Sequence, residues 1–539
     1  MKNNTSAEAT LESLYKIFTV PESASSTLIK LDRELSSNLQ GFLQDRIVAV
    51  EKDIGEVEKD FSDSKIPEKP NFVSDHTEVL LDKLLAHSVH TAAPGFIGHM
   101  TSALPYFMLP LSKIMIALNQ NLVKIETSKA FTPLERQVLG MMHRLIYQKT
   151  DAYYEQWMHQ SSRFLGIFCS GGTVANISAL WVARNNAFPA EEGFGGIQQA
   201  GLAASLAHYG YKGAAILVSE LGHYSFRKSA DLLGLGLQNL IAIPTDSQFK
   251  MDLTALKSAC TELRQRGIKP LVIVGIAGST ETGSIDPLHE IADIAAEQDC
   301  HFHVDAAWGG PTLFSTEHAA LLKGIEKADS VTIDAHKQMY TPMGAGMVLF
   351  RNPTLPSAIE HHAEYVIRKG SKDLGAVALE GSRSGMALLV HAGLHIMART
   401  GYELLINQGI TKAQTFASMI EAHEDFELIS KPQLNILTYR FVPRTIQDKL
   451  KNSSPQDAAQ INSVVNELTI SIQKTQRERG KTFVSRTRIK STTYDRHLIV
   501  VFRAILANPL TTEDTLHEVL QEQLAIASEP SALKLLSGL

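Results

Sequence analysis

Cysteine is scarce. The 539-residue chain holds three, Cys169, Cys260 and Cys300, with no CxxC pair among them. So few in so long a chain fit a reducing compartment without a disulfide framework. An excess of positive charge is also lacking. Lys and Arg number 51 against 57 Asp and Glu, a formal net charge of −6, so nothing favours a nucleic-acid or anionic-membrane partner. No window approaches eighteen uninterrupted apolar residues, so no membrane span is expected. The opening stretch, MKNNTSAEATLESLYKIF, has no basic start followed by an apolar run, so no signal peptide is expected. These absences point to the cytoplasm. No internal repeat is visible.

What is present is an ordinary globular balance, 44% hydrophobic and 20% charged residues, which argues against general disorder. The length suggests two to four domains and allows a large core. Residues 1–130 read as a mostly helical segment. Leu39–Phe61, Glu78–His87 and Met108–Ile125 are the expected helices, and Thr91–Pro105 is a loop broken by Pro and Gly. Residues 131–385 alternate. Thr132–Gln148 is a helix, and short apolar strands are expected at Gly166–Cys169, Ala214–Ser219, Leu240–Ile243, Pro270–Ile276 and Gly344–Phe350, with helical patterns between them. Residues 386–539 read as a smaller α+β unit. Its helices are expected at Leu388–Asn407, Lys412–His423, Asp457–Arg479 and Thr512–Ala527, and its strands at Leu434–Phe441 and His497–Leu506.

The stretch from His301 to Lys337 organises the rest. It begins HFHVDAAWGG and ends DSVTIDAHK. Two apolar strands, His301–Ala306 and Ser330–Ala335, flank a segment of helical composition, Glu317–Lys327. Strand, helix, strand is the crossover of a parallel sheet, and it brings both strand ends to one edge, where ligands of open α/β folds sit. Asp305 stands at one strand end and Lys337 just past the other. A carboxylate and an amine there are the minimum for holding pyridoxal 5′-phosphate: the amine condenses with the aldehyde and the acid pairs with the ring nitrogen.

Other candidates carry two readings each. SGGT, Ser170–Thr173, between a strand and a helix, suits a phosphate seat on a helix N-terminus, or is a tight turn with Thr173 as N-cap. His223, after a strand, could stack on a flat ring or be an ordinary hydrogen-bonded residue. Asp305 needs a partner to offset desolvation, either a pyridinium or a structural cation. Arg503 interrupts the apolar strand LIVVFRAILANP and must be paired, with a substrate carboxylate or an internal acid. His301 and His303 share a strand face but have no third ligand spaced with them, so they read as packing or surface residues and no metal is expected. LLGLGLQ follows a helix and is no dinucleotide loop.

Several motifs recur together and in order: FCSGGTVANISALWVARN, GHYSFRKSADLLGLG, AGSTETGSIDP, HVDAAWGG, DSVTIDAHK and FRAILANPLTTEDT. With them the chain, from about Thr91 onward, resembles the group II pyridoxal-phosphate-dependent amino acid decarboxylases. Within that group it is most similar to the bacterial aspartate 1-decarboxylases. The resemblance implies fold type I, the aspartate aminotransferase-like fold, with a mostly parallel large sheet, a small C-terminal α+β domain and a helical N-terminal segment.

The resemblance also implies roles. Lys337 binds the cofactor covalently, with His336 before it. Asp305 holds the ring nitrogen, Ala307 packs under the ring and His223 covers the other face. Ser170, Gly171, Gly172 and Thr173 seat the phosphate, and Thr280 lies near the ring substituents. Arg503 anchors the substrate α-carboxylate. Tyr365 is the loop tyrosine that returns a proton, and His99 contacts the substrate side chain where glutamate decarboxylases carry Gln. Asp334 takes a position of Asn or Asp in relatives, and Ala335 replaces a common proline; little effect is expected of either. The implied activity is α-decarboxylation of an acidic amino acid, L-aspartate to β-alanine and CO2. Glutamate, giving 4-aminobutyrate, and sulfinoalanine are the alternatives, with another fold-type-I reaction such as amino transfer as a second one. A homodimer is implied as well.

Overall fold

Among the described residues, seven strands form the large sheet: β1 (Gly166–Cys169), β2 (Gly213–Ser219), β3 (Leu240–Ile243), β4 (Ile268–Ile276), β5 (His301–Asp305), β6 (Ser330–Asp334) and β7 (Gly346–Phe350). The structure is a computed structural model that describes Thr10 and residues 28–30, 32–33, 54–84, 87–363, 367 and 370–537. The sheet order is β1-β7-β6-β5-β4-β2-β3. Pairing is parallel from β6 through β3, and β7 runs antiparallel to both β6 and β1. The C-terminal ends of β1, β2, β4, β5 and β6 therefore share one edge.

Strands such as GAAILVS are buried throughout, as a sheet covered on both faces requires. Alternation splits its side chains between two cores. Ile273 joins one cluster with Val138, Leu256 and Ile291, while Val272 and Val274 join another with Ala179 and Phe226. Helices α1 (Phe131–Tyr147), α2 (Gly172–Ala187), α3 (Ser225–Leu232), α4 (Leu253–Gln265) and α5 (Leu288–Glu297) supply these layers. In the C-terminal part, α6 (Ala398–Ala422), α7 (Pro455–Arg479) and α8 (Glu513–Ala527) back a four-stranded antiparallel sheet of order β10-β11-β9-β8. Its strands are β8 (Phe426–Ser430), β9 (Ile436–Phe441), β10 (Ser485–Lys490) and β11 (Leu498–Ile505).

Several expectations need correction. Glu317–Lys327 is not an α-helix; short 3-10 turns at Gly310–Phe314, Ala319–Leu322 and Ile325–Lys327 carry the β5–β6 crossover. Gly324, at φ 102°, interrupts the run, a conformation that glycine adopts readily. The expected break between Asn407 and Lys412 is absent. Gly409 lies inside α6, where a Cβ would meet the Leu506 carbonyl at 2.9 Å. The real break precedes Ala398, at φ 53°. The helix from Met108 stops at Leu118, before Asn119 at φ 43°. Strands β8 and β10 were not expected; SRTRIK shows three charged side chains, Arg486, Arg488 and Lys490, to solvent and reads as a surface segment. Leu39–Phe61 falls largely outside the described residues; its last turns, Ile54–Asp60, are helical. No helix among the described residues is long and apolar enough to cross a membrane, and all three cysteines are unpaired.

Candidate active site

The shared strand edge opens into a cavity of about 340 Å³. Ser170 to Thr173 after β1, His223 after β2, Thr280 after β4, Asp305 and Ala307 at β5, and His336 and Lys337 after β6 all line it. Crossover topology thus gathers residues up to 167 positions apart in sequence, Ser170 to Lys337, around one space.

The β1–α2 turn has the form of an anion seat. The residue before α2 is Gly171, in extended backbone, and no side chain caps the helix. Thr173 lies inside the helix, so its reading as an N-cap is corrected. An uncapped N-terminus leaves N–H groups aimed outward with the positive end of the helix dipole. A Cβ on Gly172 would come within 2.7 Å of Asp334 Oδ2 and 3.3 Å of the Ala307 methyl, and one on Gly171 within 3.1 Å of His336 Cε1. Only glycine leaves this cradle open. Ser170 N donates to Glu380 Oε2 at 3.3 Å.

Lys337 Nζ lies 3.1 Å from Asp334 Oδ2, and His336 Nε2 lies 3.6 Å from the same oxygen. Asp334 is buried, and its Oδ1 has no partner among the described residues. The turn that carries Lys337 is held by a closed ring of bonds. Gln338 Nε2 donates to the Trp308 carbonyl, Trp308 Nε1 to Asn435 Oδ1, and Asn435 Nδ2 to Gln338 Oε1, at 2.8, 2.9 and 2.8 Å. These bonds tie both strand ends to the small sheet.

At the end of the neighbouring strand β5, Asp305 Oδ1 accepts from Ala307 N at 3.2 Å and Oδ2 from Asn176 Nδ2 at 3.0 Å. His223 Nδ1 accepts from Ser225 N at 3.3 Å. Burial lowers the His223 pKa, with Lys337 adding to the effect and Asp305 opposing it. Burial likewise lowers that of His336.

Arg503 is on β11, outside the group that lines the cavity directly. Its Nη1 donates to the Thr280 carbonyl at 2.9 Å, Nη2 to the Gly98 carbonyl at 3.3 Å and Nε to Ser485 Oγ at 2.9 Å. A guanidinium carries five N–H groups, so each Nη keeps one N–H with no partner among the described residues. The loop at Thr91–Pro105 is less irregular than its composition suggests. Ile97 N donates to the Phe483 carbonyl, Phe483 N to the Gly95 carbonyl and Ile505 N to the Ile97 carbonyl. Asn508 Nδ2 holds the Ala92 and Ala93 carbonyls. This stitching brings Met100 to the cavity wall. His99 is exposed beside it, its pKa lowered by partial burial and then by Arg503 and Lys337. Tyr365 lies outside the described residues.

Two residues matter more than the sequence suggests. Asp334, where little effect is expected, is the ion partner of Lys337. Asn176 bonds Asp305, and its signal is an amide in the apolar helix TVANISALWVA, which must find partners once buried.

The residues fit pyridoxal phosphate: an uncapped helix end for the phosphate, a glycine cradle that a methyl group would close, an amine, and a carboxylate at the neighbouring strand end. Comparison with known proteins agrees. The pyridoxal-dependent decarboxylase conserved domain matches residues 53–442. An aspartate 1-decarboxylase of Aliivibrio fischeri is 58% identical over 526 residues, spanning 98% of this chain and 96% of that protein. An L-2,4-diaminobutyrate decarboxylase of Rhizobium meliloti is 29% identical, over 66% of this chain and 67% of its own. The crystal structure of mouse CSAD in apo form superposes with a TM-score of 0.78 at 23% identity, covering 92% of this chain and 97% of that one; it shares the fold. A match across most of the chain and a near-full-length relative together establish that the chain belongs to the pyridoxal-dependent decarboxylase family, as a carboxy-lyase that works through pyridoxal phosphate.

Proposed function

We propose that the substrate is an acidic amino acid, L-aspartate before glutamate or sulfinoalanine, and that the products are β-alanine and CO2. The observation that carries the preference is the 58% identity, over nearly the whole chain, to a protein named aspartate 1-decarboxylase. A human relative, 28% identical over 71% of this chain, is named acidic amino acid decarboxylase GADL1.

In this reading Lys337 attaches the cofactor, Gly171, Gly172 and Thr173 with Ser170 and His336 seat its phosphate, and Asp305 takes its ring nitrogen. His223 and Ala307 cover its two faces, and Thr280 borders its substituents. When bound, pyridoxal phosphate supplies the electron sink for the pair left by departing CO2. The residues around it fix geometry. Arg503, with two N–H groups to spare, holds the α-carboxylate, and His99 meets the side chain at the mouth. Tyr365 returns a proton to the α-carbon. Orientation of this kind contributes to catalysis because it is complete before the bond breaks.

A homodimer is proposed from the exposed apolar side chains of Tyr106, Ile114, Ile116 and Met343, to be checked by sedimentation. A cytoplasmic setting is proposed from the three unpaired thiols. The deciding experiment measures CO2 and amine release from aspartate, glutamate and cysteine sulfinate. The highest kcat/KM is expected for aspartate. A higher value for either of the others overturns the preference, and a keto acid product overturns the reaction.

A further inference from the structure

The β5 sequence HFHVD places His301, His303 and Asp305 two residues apart, hence on one face of a buried strand. Three polar side chains in a row on such a face are costly unless every one is paired. The structure pairs all of them in a single chain. His301 Nε2 lies 2.7 Å from Ser330 Oγ, and Ser330 Oγ lies 2.8 Å from His303 Nδ1. His303 Nε2 lies 3.0 Å from Asn176 Oδ1, and Asn176 Nδ2 lies 3.0 Å from both Asp305 Oδ2 and Ser225 Oγ. His303, Asn176, Ser225 and Ser330 are all at most 1% exposed.

The direction of every bond follows from one end. A carboxylate only accepts, so Asn176 turns its NH2 to Asp305 and its carbonyl oxygen to His303. His303 must then carry its proton on Nε2. Burial pushes the His303 pKa down to about 3 and lowers that of His301, so both rings are neutral, and His303 Nδ1 is an acceptor. The Ser330 hydroxyl donates to it. The lone pair that remains on Ser330 accepts from His301 Nε2–H. Four successive donors therefore point the same way, from the strand start to the carboxylate at its end. Hydrogen bonds in series polarise one another and strengthen in a dry interior.

We propose that Asn176, backed by His303 and Ser330, is a positioning residue that fixes the Asp305 carboxylate as a one-way acceptor, with its remaining lone pairs directed at the cofactor's ring nitrogen. Asn176 itself stays clear of the reacting atoms. It acts through Asp305 by occupying Oδ2, while Ala307 N occupies Oδ1. Thus neither carboxylate oxygen can swing away from the cavity. Ser225 ties the same amide to the start of α3, two residues after His223. The ring-nitrogen wall and the ring-face wall are in this way set by one side chain.

The inference rests on the reading that Asp305 meets the ring nitrogen, and the test separates the two. Purified holoenzyme is compared as wild type, Asn176→Leu, His303→Leu, His303→Gln and Asp305→Asn. The readouts are the pH midpoint of the bound cofactor's absorbance, the rate of cofactor release on dilution, and kcat against KM. Asn176→Leu is expected to move the midpoint by about one unit and to speed release about tenfold. It should lower kcat while leaving KM within about twofold. His303→Gln, which can still donate to Asn176 Oδ1, is expected to stay near wild type, and His303→Leu to follow Asn176→Leu. If Asp305→Asn moves the midpoint and Asn176→Leu does not, the positioning role is overturned. If Asp305→Asn itself moves nothing, the reading of Asp305 is overturned instead. Should Asn176→Leu fail to fold, the two His303 variants decide: equal behaviour of Gln and Leu overturns the proposal.

Discussion

The Asp334 carboxylate and the Lys337 amine form an ion pair at 3.1 Å inside the site, with the acid almost wholly buried. The lysine proposed to attach the cofactor is thus held by a charge three residues behind it, on the last residue of β6. Lys337→Ala should abolish turnover and also leave that carboxylate, whose Oδ1 has no partner among the described residues, with only His336 at 3.6 Å beside it. Loss of one member of a buried pair costs about 3–5 kcal/mol. Thermal unfolding of apoproteins should show Lys337→Ala destabilised by about that amount, and Lys337→Ala with Asp334→Asn largely restored.

Gly172→Ala should weaken cofactor binding while leaving the fold in place. Its methyl would press on Asp334 Oδ2 at 2.7 Å, an overpacking cost of about 1–3 kcal/mol, which corresponds to about fivefold to 150-fold in affinity. Titration of apoprotein with pyridoxal phosphate measures it.

Asn508→Ala should loosen the cavity mouth. The buried amide donates to the carbonyls of Ala92 and Ala93 at 3.2 and 2.9 Å, and losing it should cost about 1–3 kcal/mol. KM should rise more than kcat falls, because the segment that carries His99 and Met100 is displaced. Steady-state kinetics with a melting curve separate the two effects.

Acid should destabilise the fold through buried imidazoles. His143 shares its nitrogens with Tyr154 Oη at 2.9 Å and the Phe350 carbonyl at 3.1 Å. Burial pushes its pKa from the ordinary 6.5 down to about 3. The unfolded chain therefore binds this proton first as pH falls. The stability is full above pH 6.5 and is lost from there down toward 3, at about 1.4 kcal/mol per pH unit. His303 contributes in the same sense. Urea unfolding of wild type and His143→Gln, at about pH 7 and about pH 5, should show a shallower loss for the variant.

Much of the large sheet could be read from composition. β1 lies where its apolar run is, because a strand buried on both faces must be apolar along its whole length. The residues that line the cavity were legible for a related reason: strand ends are easily located, and crossover topology assigns them to one edge. Less visible was anything decided by a distant partner. The charged face of β10 looks like surface, Gly409 looks like a break and is a close approach, and Asn176 looks like a stray polar residue. Each is explained only by what folds against it: β11, the Leu506 carbonyl, and the β5 face with its Asp305.

The stitching of Gly95–Ile97 onto Phe483 and Ile505 has a consequence for any tilt between the two sheets. The mouth of the cavity rides with the C-terminal sheet, and its floor belongs to the large one. Arg503 bridges the two, donating to the Gly98 carbonyl on one side and the Thr280 carbonyl on the other, so any displacement of one sheet against the other would be felt first at its guanidinium.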